Sequence, residues 1–426
     1  MYFPSSSLNL EHRDQESQTW EQLSRRRFLK GTLLSGAGLT LLGTSPIAFA
    51  KAFIKGKTAA DIRGAGVEAG IVRLSSNENP LGPSPKAMEA IRNCLPTLNR
   101  YMNGYPMELA MKLNKLAGVS MEGVKMNPQN REEWNAFSEK NFLFLADGSG
   151  SILKAASYSI FEKGGHLIEA EHGYGDVSEF VSDLQQRGHN VTITRVPLKP
   201  DLSHDLDAMR KAVTSETKLV VITNPNNPTG TIVPHEDIVK FVDSLPETVK
   251  VLLDEAYTDF IGDPSYIRGS DLAISRPNVF VVRTFSKVYG LPGLRVGYAI
   301  GKPSNFNGFW NYTGSWSTPA LVGANAALDD VEHIAASKRV VSEGRLFLEK
   351  EFKTLGIEYV PSEASFIAFK MDDPDKIANE LQKRKVFIRN AGNWGLKGYC
   401  RVSMGTADEL DAFITTLREV LGKAGT

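Results

Sequence analysis

Lys287 stands in the run Thr284-Phe285-Ser286-Lys287-Val288-Tyr289-Gly290-Leu291-Pro292-Gly293-Leu294-Arg295, directly after a β-rich stretch at 279–283. A lysine amine can form a Schiff base with a carbonyl, and two hydroxyls with a guanidinium are what a phosphate needs. Pyridoxal phosphate carries both groups. In open α/β sheets ligands sit beyond the carboxyl ends of strands, and this run begins at such an end. A surface lysine on a glycine-rich loop has the same local composition, so the other motifs decide between the two.

Asn224-Pro225-Asn226-Asn227-Pro228-Thr229-Gly230 is the stronger signal. Its two X-Pro steps and its glycine pin the backbone and hold the Asn227 amide in a fixed pose. Asp254-Glu255-Ala256-Tyr257 places an acid and a phenol three residues apart, on one side of a predicted helical turn. An aspartate facing a pyridine nitrogen keeps it protonated, so that the ring can draw electrons from a substrate's α-carbon. Asparagine and tyrosine can both hydrogen-bond a ring oxygen. A buried structural acid is the competing reading of Asp254. Asp147-Gly148-Ser149-Gly150-Ser151 leads into a predicted helix at 152–160, where converging N–H groups and the helix dipole would hold an anion. An ordinary turn fits the same glycines. Tyr174, in Glu171-His172-Gly173-Tyr174-Gly175, is either a ring that stacks on a flat ligand or a packing residue.

These residues need a frame. Short apolar runs at 142–145, 166–169, 191–195, 219–223, 249–253, 279–283 and 296–300 alternate with helix-like or loop segments. That pattern predicts an α/β large domain, a mainly parallel seven-stranded sheet with helices on both faces. Nearly every run leads into a cluster of Gly, Asn, Pro, Tyr or Asp. Upstream, 51–70 reads as a mobile arm, and Leu74-Ser75-Ser76-Asn77-Glu78-Asn79-Pro80-Leu81-Gly82-Pro83-Ser84-Pro85 as a covering loop or connector, because its prolines forbid regular structure. Helices are predicted at 85–95 and 107–117, and a polar, irregular surface insertion at 126–140. The carboxy-terminal part reads as a smaller α+β domain: a long helix at 329–355, then strands near 357–360, 366–369, 386–389 and 400–403. Thr406-Ala407-Asp408-Glu409 is a capping box for a last helix whose Leu410, Phe413, Ile414, Leu417 and Leu421 share one face. Arg389, near Gly392 and Trp394, is either a holder of a substrate's distal group or a solvated surface arginine.

The 426 residues carry 49 basic and 49 acidic side chains, so there is no electrostatic footprint for nucleic acid or an anionic membrane. Cys94 and Cys400 are the only cysteines, too few for a disulfide framework or a metal cluster, and they are expected to be unpaired. No Cys/His spacing reads as a zinc site. Ser24-Arg25-Arg26-Arg27-Phe28-Leu29-Lys30, an apolar run at 31–42 and Ala48-Phe49-Ala50 together make a secretory signal. Its paired arginines resemble those of a twin-arginine signal, which is read by the twin-arginine export machinery. The apolar run falls short of the roughly 20 residues that span a bilayer, so no stable membrane anchor is expected. Cleavage after Ala50 would leave 376 residues, exported to the periplasm or secreted.

In this order, Asn-Pro-Asn-Asn-Pro-Thr-Gly, Asp-Glu-Ala-Tyr and Thr-Phe-Ser-Lys with Gly-Leu-Arg resemble the class I/II aminotransferases of pyridoxal-phosphate fold type I. The covering loop, Asn99-Arg100-Tyr101 and Cys400-Arg401-Val402-Ser403-Met404-Gly405-Thr406 narrow the resemblance to the histidinol-phosphate aminotransferase-like branch. The resemblance spans nearly all of the chain after the signal. It implies an amino acid or amine donor, a 2-oxo acid acceptor and a homodimer. It implies that Lys287 is the Schiff-base and proton-shuttling lysine, that Asp254 pairs with the ring nitrogen, that Asn227 and Tyr257 hold the ring oxygen, and that Tyr174 stacks on the ring. Gly148, Ser149, Thr284, Ser286 and Arg295 would bind the phosphate, with Tyr101 or Tyr105 reaching the phosphate of the neighbouring subunit. Arg401 would hold the substrate's anionic group, with Asn77 nearby. The implied division is a signal at 1–50, an arm and covering loop at 51–98, a large domain at 99–305 and a small domain at 306–426. Three departures stand out: Asn-Arg-Tyr-Met-Asn-Gly-Tyr-Pro is a stretched version of the family's Asn-Arg-Tyr-Pro, Gly150 occupies a position that often carries an acid, and Ser365-Phe366 replaces Asn-Tyr or Asn-Phe. The same cofactor contacts also serve decarboxylases, racemases and lyases, and a non-catalytic binding protein could retain the fold.

Overall fold

Each apolar run becomes a strand because it is covered on both faces, the environment in which a strand reads as continuous hydrophobic sequence. The computed structural model describes residues 56–102 and 106–423. The predicted signal, its cleavage point and Tyr105 lie outside the described residues. The strands are β1 (Val72–Arg73), β2 (Leu143–Ala146), β3 (Gly165–Ala170), β4 (Val191–Val196), β5 (Thr217–Thr223) and β6 (Lys250–Asp254). They continue as β7 (Val279–Thr284), β8 (Gly297–Gly301), β9 (Phe366–Lys370), β10 (Val386–Phe387), β11 (Arg389–Asn390) and β12 (Tyr399–Ser403).

The large sheet has seven strands in the order β2-β8-β7-β6-β5-β3-β4. Only β8 runs against its neighbours, pairing antiparallel with β2 and with β7. The carboxyl ends of β2, β3, β5, β6 and β7 therefore lie on one edge, beside the start of β8. Register sharpens this, because Gly297 of β8 sits opposite both Ala146 of β2 and Thr284 of β7. Leu252, Phe280 and Val282 pack on one face with Ile152, Leu153 and Val181, from helices Ser149–Phe161 and Asp176–Gln186. Leu253, Val281 and Phe285 face the other way, into a core that runs on without a break to Phe366 and Met404.

A three-stranded antiparallel sheet, β11-β12-β9, forms the carboxy-terminal half with the helix Val331–Leu355. The Thr406 capping box opens the last helix, Ala407–Val420, whose Leu410, Phe413, Ile414 and Leu417 are buried. Asp330 caps the long helix by accepting from the His333 N–H, which is why it begins at Val331 rather than at 329.

Several expectations need correction. The region 51–70 is no loose arm where it is described: Ala59 and Ile62 are buried in the core, and the Lys57 N–H donates to Asp411 at 2.8 Å. The segment 126–140 is not wholly irregular, because Asn130 caps a helix at Arg131–Lys140 that buries Phe137. The run 357–360 forms only an isolated bridge, Tyr359 to Phe369. The run 386–389 splits: β10 pairs with β1 in a separate two-stranded sheet, and β11 pairs with β12. Asp254 closes β6 and is not on a helical turn with Tyr257, since an irregular turn at 255–257 separates the strand from a short 3-10 helix, Thr258–Phe260.

Candidate active site

The loops that leave the common sheet edge hold nearly every residue singled out in the sequence. Beyond β2, Gly148 has φ +107°, and a Cβ there would run into the Arg295 guanidinium. A Cβ on Gly297 would meet the Ser149 amide. Both positions must be glycine for the Arg295 side chain and β8 to lie this close to the start of helix Ser149–Phe161. Thr284 and Ser286 enter the same corner from β7, where the Thr284 hydroxyl donates to Ser286 Oγ at 2.9 Å and accepts from the Ser286 N–H at 3.0 Å. Two hydroxyls, a guanidinium and the positive end of a helix converge here: a place for a dianion.

A second corner forms around Asp254 at the end of β6. Asp254 is 5% exposed, and its Oδ1 accepts from the Ala256 N–H at 3.1 Å. Burial pushes its carboxyl up to about 7, the Ala256 N–H opposes that, and Asp176 and Glu255 add to it by charge. Tyr174, Asp176, Glu169, His204 and Thr223 line one cavity with it. Tyr257 is buried, and its hydroxyl accepts from Asn77 Nδ2 at 3.0 Å, which leaves the phenolic proton to donate elsewhere. Asn77 is tied in turn to Ser403: its N–H donates to Ser403 Oγ at 2.8 Å, and the Ser403 hydroxyl donates to its Oδ1 at 2.8 Å.

Lys287 is half-buried between these corners. Its Nζ donates to the Ser76 carbonyl at 3.3 Å and lies 5.4 Å from the centre of the Tyr257 ring. Arg401 is 3% exposed, with its guanidinium held between Trp394 at 4.4 Å and Phe366 at 5.2 Å. Nη1 donates to Asn227 Oδ1 at 2.5 Å and Nη2 to the Ser75 carbonyl at 2.9 Å, while the buried Nε has no partner. Burial pulls Arg401 down to about 10, so it remains a cation at neutral pH. Arg389 lies opposite Arg401 in the β11–β12 register and reaches the same Ser75 carbonyl at 3.4 Å. It is an exposed side chain beside the pocket, not one remote from it.

The structure thus brings together Lys287, Asp254, Tyr257, Asn77, Asn227, Tyr174, Arg401 and Arg389, with Gly148, Ser149, Thr284, Ser286 and Arg295 in the anion corner. Tyr101 is not among them, being 98% exposed on the loop after residue 98. Sequence reasoning missed three residues. Ser403 sits inside a motif already noticed, two residues after Arg401, but only its bonds to Asn77 give it a role. Asn226 is buried in the pinned loop with its Oδ1 unpartnered. His204 has no sequence signal: its Nε2 donates to the Thr223 carbonyl at 2.9 Å, its Nδ1 is unpartnered, and burial pulls it down to about 4. Among the described residues no group of His, Cys, Asp and Glu could hold a metal ion, and no helix is long and apolar enough to cross a membrane. Cys94 and Cys400 are both buried and free.

The Asp254 environment has a measurable consequence. Folded, cofactor-free protein keeps its Asp254 proton up to about pH 7, whereas the unfolded chain loses it near 3.8. This residue's contribution to stability is therefore full below about pH 4 and is lost as pH rises to about 7. The cofactor-free Asp254→Asn variant is expected to gain on the wild-type protein across that interval, by a few kcal/mol, and to hold the gain at higher pH. Denaturant midpoints of both proteins against pH check this, because a shifted group that takes no charge effect from Asp254, such as His204, moves both curves alike.

A family profile described as aminotransferase class I and II matches residues 69–417. The chain is 34% identical over 355 residues to histidinol-phosphate aminotransferase 1 of Nitrosococcus oceani, covering 83% of this chain and 89% of that protein. It is 34% identical over 376 residues to histidinol-phosphate aminotransferase of Moorella thermoacetica, covering 87% and 91%. Among solved structures it resembles histidinol-phosphate aminotransferase from Sinorhizobium meliloti in complex with pyridoxal-5'-phosphate, with a TM-score of 0.71, 25% identity, and coverage of 90% of this chain and 98% of that one.

Proposed function

The chain belongs to the class I and II aminotransferases and is a pyridoxal-phosphate-dependent transaminase, and from that premise we propose that it takes the amino group of an anionic donor, histidinol phosphate or an acidic amino acid, and passes it to a 2-oxo acid. One observation carries the proposal. Lys287 and Arg401 hang from adjacent carbonyls of the covering loop, Ser76 and Ser75, so the reactive amine and a buried cation address the same small space.

The residues fit the cofactor. The buried Arg401 Nε has no partner, Gly148 lets the Arg295 guanidinium lie against the start of helix Ser149–Phe161, and Asp254 is a buried acid with no cation in ion-pair contact among the described residues. When bound, pyridoxal phosphate supplies an electron-withdrawing ring that stabilises negative charge at the donor's α-carbon. The chain supplies the rest. Gly148, Ser149, Thr284, Ser286 and Arg295 would bind the phosphate in the anion corner. Asp254 would pair with the ring nitrogen as a carboxylate and keep it protonated. Asn227 Nδ2 and the Tyr257 hydroxyl would hold the ring oxygen, and Tyr174 would cover the ring. Lys287 Nζ, as a free amine, takes the proton from the donor's α-carbon. Arg401 would hold the donor's phosphate or side-chain carboxylate, the charge that a neutral donor lacks, through its unpartnered Nε, and Arg389 would extend the positive field toward the pocket mouth.

The proposal includes a homodimer and export. Tyr101, almost wholly exposed beside exposed Leu95, Leu98 and Met102, is an aromatic surface suited to a second copy. Export rests on the signal pattern at 24–50. Steady-state kinetics with histidinol phosphate, glutamate, aspartate and neutral amino acids as donors test the substrate class. Preference for an anionic donor that collapses in Arg401→Gln is the expected result, and equal use of neutral donors would overturn it. Retention of the Arg25→Lys/Arg26→Lys variant in the cytoplasm, against a periplasmic wild-type protein beginning at Lys51, tests export.

A further inference from the structure

We infer that the buried ion pair of Glu255 and Arg283 is a positioning clamp for the cofactor site: it fixes the end of β6, with Asp254 and Tyr257, against the end of β7, with Thr284, Ser286 and Lys287. The inference rests on the reading of that site given above. Glu255 directly follows Asp254, and Arg283 directly precedes Thr284. They are 1% and 4% exposed. Arg283 Nε and Nη2 both donate to Glu255 Oε2, at 2.8 Å and 2.7 Å, and Nη2 also donates to Ser270 Oγ at 2.9 Å. Glu255 Oε1 accepts from the Gly269 N–H at 2.6 Å and from the Tyr266 hydroxyl. Both Glu255 carboxylate oxygens are thus engaged inside the protein, and neither Glu255 nor Arg283 lines the cavity around Asp254.

The pair lies behind the site. Val282 belongs to one face of the sheet and Val281 to the other, so alternation sends Arg283 to the face away from Thr284. The Glu255 N–H donates to the Val282 carbonyl at 2.9 Å and extends the β6–β7 ladder by one bond past Asp254. Beyond that bond the two strands diverge into the loops that carry Tyr257 and Lys287, and the guanidinium fork spans them. Stability is a poor reason to keep such a pair, because an apolar pair of similar volume serves a core as well or better. Fixed geometry is a good one: a fork against a carboxylate sets direction as well as distance, and a lysine in its place does not.

Two variants test this. Arg283→Lys keeps the buried charge and loses the fork, and Glu255→Gln/Arg283→Met removes both charges at similar volume. In the cofactor-loaded protein both are expected to lose roughly tenfold to a hundredfold in kcat, with the donor KM changing by less than about threefold. The visible circular dichroism of the bound cofactor should weaken. In the cofactor-free protein, amide exchange should accelerate at 255–257 and 285–287 while β5 and the body of β6 stay protected. Wild-type kcat and visible dichroism in either folded variant would overturn the clamp. So would uniform loss of protection across the sheet, or failure of both variants to fold, since each marks a pair that serves the fold as a whole. The exchange measurement needs no cofactor. It judges the clamp even if the wild-type protein fails to take up pyridoxal phosphate, a result that would sink only the reading of the site.

Discussion

Lys287→Ala is expected to lower turnover by roughly three orders of magnitude or more and to leave the fold standing. Within the chain, Lys287 Nζ makes one hydrogen bond, 3.3 Å to the Ser76 carbonyl, and one ring contact, to Tyr257. It has no carboxylate partner among the described residues, so its removal strands no buried charge. The backbone around it holds without it, since the Gly290 N–H donates to the Lys287 carbonyl at 3.0 Å and the Leu291 N–H to the Phe285 carbonyl at 3.0 Å. Lys287→Arg should be as inactive, because a guanidinium keeps the charge but is neither a nucleophile nor a base near neutral pH. Turnover together with the thermal midpoint separates chemistry from folding. An alanine variant with a tenth of wild-type activity would mean that another amine does the work.

Asp254→Ala should cost roughly two to three orders of magnitude in kcat and should also weaken cofactor binding, most visibly above pH 7. In the cofactor-free protein burial pushes this carboxyl up to about 7. A cationic ring nitrogen paired with it would remove that penalty, so cofactor uptake should release a proton below pH 7 in the wild-type protein and not in the variant. Asp254→Asn preserves shape and one hydrogen bond but not the charge, and should fall close to alanine in kcat. Titration calorimetry in two buffers of different ionisation enthalpy counts the protons. Equal proton release by wild type and Asp254→Asn would remove Asp254 from this role.

The large sheet was legible because its strands are buried on both faces and punctuated by Gly, Pro, Asn and Asp. All seven were placed within a residue or two of their observed bounds. Much of the site followed, since the strand ends and loops that carry Gly148, Tyr174, Asn227, Asp254 and Lys287 share one edge. What failed depended on contacts remote in sequence. The turn at 255–257 looked helical by spacing alone, but Glu255 is drawn across to Arg283 and Gly269. The run 386–389 carries no mark of its division between β1 and β12, because each half is claimed by a partner more than ten residues away. Ala59 and Ile62 sit in a stretch without strong periodicity, and their core positions come from packing against distant elements. His204 and Ser403 are single polar residues whose meaning appears only beside Thr223 and Asn77.

A single half-reaction tests whether Lys287, Asp254 and Arg401 run a transamination on pyridoxal phosphate. Purified protein loaded with pyridoxal phosphate is mixed with one anionic donor and no oxo acid, and the cofactor's visible absorption is followed while the products are assayed. Loss of the visible band, with one oxo product and one pyridoxamine phosphate per site, is the expected result, and neither change is expected in Lys287→Ala. A band that persists with each anionic donor tried in turn, or carbon dioxide or racemised donor in place of the oxo product, would contradict it.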